Sequence, residues 1–259
     1  MSELKNFDIF CFFSIIFEIE VSSSNQFFMK KISVLFALLL TSFFASAQTR
    51  FGVKGGLQLA DMRNKPDDRT GLTDETKMLF GYQAGVVLDY SFNKVLFFQP
   101  ALQVNSKGSK IQESLTLGGI TTKTTIKANP LYVEMPLLLG VRFGLENLKI
   151  YGMAGPYLAY GIAGKNTAKV ETTSGGTTTI LLDSSEPIKW GNETSLSNPV
   201  NLRRFDMGLT VSAGVELRNM QLGVYYSPGF VNISPDNSGR ELFNTNVGIS
   251  ATLLFGDND

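Results

Sequence analysis

Six charged residues fall on the polar phase of alternating apolar and polar stretches in this sequence: Lys54, Asp89, Glu134, Arg142, Asp206 and Glu216. Carboxylates and cations in that setting can trade protons as an acid/base pair, line a narrow polar path, or pair with one another. Other chemistry is sharply limited. The chain has no histidine, and its one cysteine, Cys11, lies near the N-terminus. Ser-His-Asp and Cys-His mechanisms are therefore excluded, together with the usual zinc and haem ligand sets. We expect no enzyme, no cofactor and no metal centre. The acidic residues Asp61, Asp67, Asp68, Asp74 and Glu75 lack EF-hand spacing and read as a solvated loop rather than a calcium site.

The elements that must position the six charges alternate with period two, the signature of strands. They span approximately 51–60, 79–90, 95–107, 129–143, 148–163, 204–217, 220–231 and 243–255. The connections alternate between long and short: 61–78, 108–128, 164–203 and 232–242 are long, while 91–94, 144–147 and 218–219 are short. Eight antiparallel strands in which every second turn is tight imply an all-β, up-and-down transmembrane β-barrel. The tight turns would lie on the periplasmic side and the long loops outside. In 204–217, Met207, Leu209, Val211, Ala213 and Val215 share one face, opposite Asp206, Gly208, Thr210, Ser212, Gly214 and Glu216. The segment 148–163 is apolar in both phases. Tyr82 and Tyr90 lie ~26 Å apart along their strand at ~3.3 Å per residue, or ~20 Å of membrane height after tilting, and are placed to mark the two aromatic girdles. A soluble barrel with the opposite phasing is the competing architecture. Small residues on the polar face, the alternation of loop lengths and the long strands favour the membrane form. Pro100, Pro136 and Pro156 fall inside strands and are expected to mark bulges or ladder breaks.

Ahead of these strands, residues 27–50 read "FFMKKISVLFALLLTSFFASAQTR". Lys30 and Lys31, an apolar run over 32–44 and Ala45-Ser46-Ala47 form the three parts of a secretory signal in order. Cleavage is expected between Ala47 and Gln48. The division is then 1–28 as a mis-assigned N-terminal extension, 29–47 as signal peptide and 48–259 as the barrel domain. The apolar run is shorter than the roughly 20 residues of a membrane-spanning helix. The chain carries 23 basic and 23 acidic residues, and residues 1–47 hold three of the former and four of the latter. That balance gives no electrostatic case for nucleic acid.

The stretches "LYVEMPLLLG" (131–140), "IYGMAGPYLAYGIAG" (150–164), "DMGLTVSAGVEL" (206–217), "LGVYYSPGFVNIS" (222–234) and "NVGISATLLF" (246–255) together resemble the PorT-like family of outer-membrane β-barrel proteins. The motif Y-x-E-I-P-L-L-L-K of that family is matched by Tyr132, Glu134, Pro136 and Leu137 to Leu139, with Met135 in place of isoleucine and Gly140 in place of lysine. The resemblance implies a bacterial outer-membrane location. It also implies a role linked to protein secretion and maturation across that membrane.

For the six charges the choice is between a salt-bridged plug and a narrow polar pore, and the small bore of eight strands favours the plug. Loops 108–128 and 164–203 each carry a glycine pair, Gly118-Gly119 and Gly175-Gly176, between strand-like runs, so both are expected to form protruding hairpins. Such hairpins either stiffen the rim or recruit an extended partner by strand addition. Trp190, the one tryptophan, is either a binding anchor or a packing residue. Phe255 ends the last strand as an aromatic signal of the kind read by barrel-assembly machinery. The expected function is a structural or protein-interaction barrel, with a narrow small-solute channel as the alternative. Its partners are outer-membrane lipid, the assembly machinery, and envelope or secretion proteins met through loops 108–128 and 164–203.

Overall fold

The computed structural model describes residues 48–65, 75–145, 147–194, 201–235 and 241–256. The expected extension 1–28, the signal 29–47 and residue Ala47 lie outside the described residues; Gln48 begins the first strand. Ten strands form one antiparallel sheet: β1 (Gln48–Lys65), β2 (Glu75–Ser91), β3 (Leu96–Ser106), β4 (Ser109–Leu117), β5 (Ile120–Leu145), β6 (Leu148–Ser174), β7 (Thr177–Pro187), β8 (Phe205–Leu217), β9 (Met220–Pro228) and β10 (Glu241–Phe255). Eight of them close into a ring in the order β1, β2, β3, β5, β6, β8, β9, β10, with β10 returning to β1. A closed ring leaves no unpaired edge within the membrane, where an unpaired backbone group finds no water.

Alternation places the apolar phase outside. Phe51, Val53 and Leu57 on β1, Ile249 and Leu253 on β10 and Val211 on β8 are exposed, whereas Lys54, Gln58, Asp206, Thr210 and Ser250 face inward and are buried. This inside-out pattern is what a lipid solvent requires. Tyr82 faces outward near the middle of β2, and Tyr90 packs edge-on against Phe92 with ring centroids 5.0 Å apart at the strand's short-turn end. The ambiguous sixth strand is settled by burial: Tyr151, Met153 and Tyr157 point into the barrel, and Ile150, Leu158 and Tyr160 point out. The inward tyrosines fit because glycines face them. The Tyr151 hydroxyl occupies the space that side chains at Gly214 and Gly223 would need, and the Tyr157 ring does the same at Gly208.

The expected loops 108–128 and 164–203 are largely strand. β4 and the first part of β5 pair around Gly118-Gly119, and the end of β6 and β7 pair around Gly175-Gly176. All four glycines have positive φ, which two-residue hairpin turns require. Because the upper parts of β5 and β6 also pair, from Ile120 opposite Ser174 down to Asn129 opposite Lys165, both hairpins merge into one sheet rising from one side of the ring. Elsewhere β1, β2, β5 and β6 run longer than expected and β9 ends earlier, at Pro228.

The prolines interrupt ladders without shifting register. Between β3 and β5, pairing stops at Pro100–Leu137 and resumes at Gln103–Glu134 in the same frame; between β5 and β6 it stops at Pro136–Tyr157 and resumes at Leu139–Ala154. The β5–β6 ladder does shift between Leu131 and Tyr132, where β6 carries one extra residue, Ile162.

Candidate functional site

The barrel interior is the only concentration of chemical groups that the ring itself assembles among the described residues. Eight charged residues are buried in it: Arg50, Lys54, Lys107 and Arg142 against Asp89, Glu134, Asp206 and Glu216. Four cations meet four anions, as a narrow low-dielectric space demands.

Two layers hold seven of the eight. Near the short-turn end, Arg142 Nη2 donates to Asp89 Oδ1 at 2.7 Å and Arg142 Nη1 to Glu216 Oε2 at 3.0 Å. Arg50 Nη2 bridges the same two acids at 3.1 and 3.0 Å. The amide nitrogens of Gln99 and Gln221 add bonds to Asp89 Oδ2 and Glu216 Oε2 at 3.1 and 2.9 Å. Phe97 lies beneath the Arg142 guanidinium at 4.0 Å, closing that side with an aromatic face.

Nearer the loop end, Lys107 Nζ reaches Glu134 Oε2 at 2.7 Å and Asp206 Oδ2 at 3.0 Å. It also lies 4.1 Å from the ring centroid of Tyr157 and 5.3 Å from that of Tyr132. Gln103 and Asn105 donate to Glu134 Oε1 at 2.9 and 3.1 Å, and Asn244 to Asp206 Oδ2 at 2.8 Å. Lys54 stands between the layers. Grouping it with the paired charges needs correction: it is buried, but among the described residues no carboxylate lies within ion-pair distance, and its Nζ is 5.7 Å from the Tyr225 ring. Its charge balances the single excess anion of the upper layer from a distance. The neutral bonds Tyr225 Oη to Gln58 Oε1 and Gln58 Nε2 to Asn105 Oδ1, both 2.7 Å, fill the level between.

Of the motif residues, Tyr132 and Glu134 project inward and join this upper layer, while Pro136 lies at the ladder interruption. Arg50 and Lys107 were missed by the sequence reading. Both carried a signal: Arg50 has the parity of Lys54, four residues on, and Lys107 that of Gln103 and Asn105.

An apolar cap closes the loop end. Met62, Ile188, Leu202 and Ile233 form a buried cluster, with Ala128, Trp190 and Leu242 packed against it. Trp190 resolves as a packing residue: its ring lies over Gly161 and meets Tyr132 edge-on at 5.6 Å. Backbone bonds from Gly161 to Arg204 and from Arg203 to Ile233 tie the capping segments to the rim. Among the described residues no His, Cys, Asp and Glu cluster has the makings of a metal site. Asp67, Asp68 and Asp74 lie outside the described residues.

Above the ring the rising sheet has its own charges. Lys169 Nζ pairs with Glu171 at 2.6 Å, a contact that raises the lysine pKa and lowers that of the glutamate.

A closed ring with a lipid-type outer face and an interior in which four buried cations meet four buried anions describes a small membrane barrel, and comparison with known proteins agrees. The profile of the family described as outer membrane protein beta-barrel domain matches residues 44–234. The chain belongs to this family. It is accordingly a protein of the bacterial outer membrane. No curated protein matches the barrel significantly. Among solved structures it is similar to OprG from Pseudomonas aeruginosa, with 14% identity over 82% of this chain and 98% of that one and a TM-score of 0.38. It is similar to Neisserial surface protein A, with 13% identity over 79% and 97% of the two chains and a TM-score of 0.32. It is also similar to Ail of Yersinia pestis, with 12% identity over 80% and 99% and a TM-score of 0.33.

Proposed function

We propose that this barrel is a non-conducting, non-enzymatic interaction protein, which anchors a sheet outside the membrane for contact with other envelope proteins. The observation that carries this reading is the contrast between its two ends of chemistry. Inside, each carboxylate is engaged by a cation or an amide, and an apolar cap lies over them, so neither an ion path nor a proton-transferring group is left to a solute. Outside, the sheet ends on β7, which pairs with β6 and with no other described strand. β7 presents exposed Ile180, Leu181 and Leu182, and its second edge is open to strand addition.

The resemblance of 131–140 to the PorT motif supports secretion across the outer membrane as the process served. On that reading β7 receives an extended segment of a secretion component. The test is site-specific photocrosslinking in cells from positions 179 and 184, comparing the parent with Leu182→Pro, which removes a ladder donor and disrupts the strand. Defined adducts lost in the proline variant are expected. Absence of adducts, combined with stable unitary conductance in planar bilayers, would instead favour the small-solute channel. A secretome unchanged by gene deletion would remove the secretion role and leave the interaction role standing.

A further inference from the structure

The outer wall of the rising sheet carries lysines in an arrangement that its own side chains do not neutralise. Antiparallel partners share a face, so the register Lys110 opposite Lys127 sets two cations side by side on β4 and β5. Lys165 on β6 is diagonal to Lys127, whose direct partner on that strand is Thr167. Like charges directly opposite on a sheet repel. Among the described residues, none of Lys110, Lys127 and Lys165 has a carboxylate within ion-pair distance.

The next rows out behave differently. Lys123 faces Glu171, Lys169 is paired with Glu171 and opposite Asp183, and the charges compensate. Repulsion is thus left standing only in the rows nearest the ring.

Height explains why those rows matter. On β5 the face bearing Val133 and Leu131 continues unbroken to Asn129 and Lys127, so these lysines lie on the wall that faces lipid lower down. The opposite face holds Ile111, Ile126, Ala168 and Val170, with Ala128 packed against the cap, so it is the continuation of the interior. The polarity of the two faces inverts where the strands leave the hydrocarbon. Tyr160, exposed and opposite Val133, marks the aromatic level. Lys165 lies four rows above it, ~13 Å along the strand or ~10 Å in height, and Lys127 six rows above, ~15 Å in height. Lysine side chains reach back several ångströms toward an interface, which brings all three to the headgroup zone.

We infer that Lys110, Lys127 and Lys165 form a binding surface for the phosphorylated headgroup of an outer-leaflet lipid. Phosphate supplies the anion missing from the two rows, and the lipid's acyl chains would lie along the apolar wall directly beneath. Phosphate as a free ion has the same chemistry but would gain nothing from that wall.

The test measures lipid binding to the purified full-length barrel in neutral detergent by native mass spectrometry, using lipid A with both phosphates, the same lipid A dephosphorylated, and inorganic phosphate. Bisphosphorylated lipid A should bind at least tenfold more tightly than the dephosphorylated form. The triple variant K110Q/K127Q/K165Q should lose roughly a hundredfold, about fivefold for each lysine at an anionic surface. The double variant K123Q/K169Q should bind as the parent does. Equal binding of both lipid forms to the parent, which needs no variant to fold, overturns the inference. So does a folded triple variant that binds unchanged. Competition by inorganic phosphate at the lipid's own concentration assigns the surface to the free ion and overturns the lipid.

Discussion

Arg142 on β5 and Asp89 on β2 meet at 2.7 Å across the barrel interior, with β3 between their strands, although they are 53 positions apart in the chain. Neither strand could bury its charge alone. The ring is closed in part by the requirement that these groups find one another, because an unpaired ion in so narrow a space costs several kcal/mol.

Asp89→Asn tests that dependence. It leaves Arg50 and Arg142 sharing Glu216 as their one carboxylate, and the expected loss is about 3–5 kcal/mol of unfolding free energy. Urea titration of the barrel in lipid vesicles, followed by heat-modifiable gel migration, measures it. The double variant Asp89→Leu with Arg142→Met should recover most of the loss, since two apolar groups of similar volume restore balance around Arg50 and Glu216. A double variant as unstable as the single would show that the geometry of the layer, rather than its charge balance, is what matters.

The level at which the membrane ends is tested by arginine at two outward positions. Ile249 lies on the lipid face of β10 and is exposed there, so Ile249→Arg should cost about 2–4 kcal/mol. Thr125, on the outer face of β5 two residues beyond Lys127 and opposite Lys169, lies above the hydrocarbon. Thr125→Arg should cost no more than about 1 kcal/mol, the scale of repulsion from Lys169 directly opposite. Equal costs at both sites would place the membrane boundary elsewhere.

Much of the ring was legible because lipid imposes alternation residue by residue. The stretches 204–217 and 243–255 showed the phase directly, and the inward charges Asp89, Glu134, Arg142, Asp206 and Glu216 followed from it. The sixth strand was opaque because Tyr151, Met153 and Tyr157 are large and largely apolar yet point inward. Their fit depends on glycines of neighbouring strands, and cross-strand register is not written in local periodicity. Arg50 escaped because it precedes the first clear apolar alternation at Phe51, although it belongs to β1. The role of Trp190 was unreadable for another reason: its contacts with Gly161 and Tyr132 are made by a segment outside the ring, where no period applies.

Because Trp190 is the one tryptophan in the chain, the cap can be followed by its fluorescence. A Cβ at Gly161 would come within 2.3 Å of two atoms of the indole ring, so Gly161→Leu should displace it. Emission should shift to the red, and stability should fall by about 1–3 kcal/mol, the usual cost of overpacking. An unshifted spectrum in a folded variant would mean that the cap does not rest on the indole.

Shortening the β6–β7 hairpin separates the sheet from the ring that carries it. β7 pairs with β6 from Lys165 outward, and the ring ladder between β6 and β8 begins below this, at Tyr160 opposite Phe205. Replacing 169–183 with a two-glycine turn therefore removes all of β7 except its last four residues, together with the Lys169–Glu171 pair, while leaving all eight ring strands with both neighbours. The expected barrel still migrates with heat-dependent mobility, and its urea midpoint matches the parent, because the deleted pair is solvent-screened and holds no ring strand in place. Lipid A binding at Lys110, Lys127 and Lys165 should survive in the same variant, because none of the three is removed. Loss of the folded band would show instead that the rising sheet helps close the ring, through the continuous β5–β6 ladder that the two share.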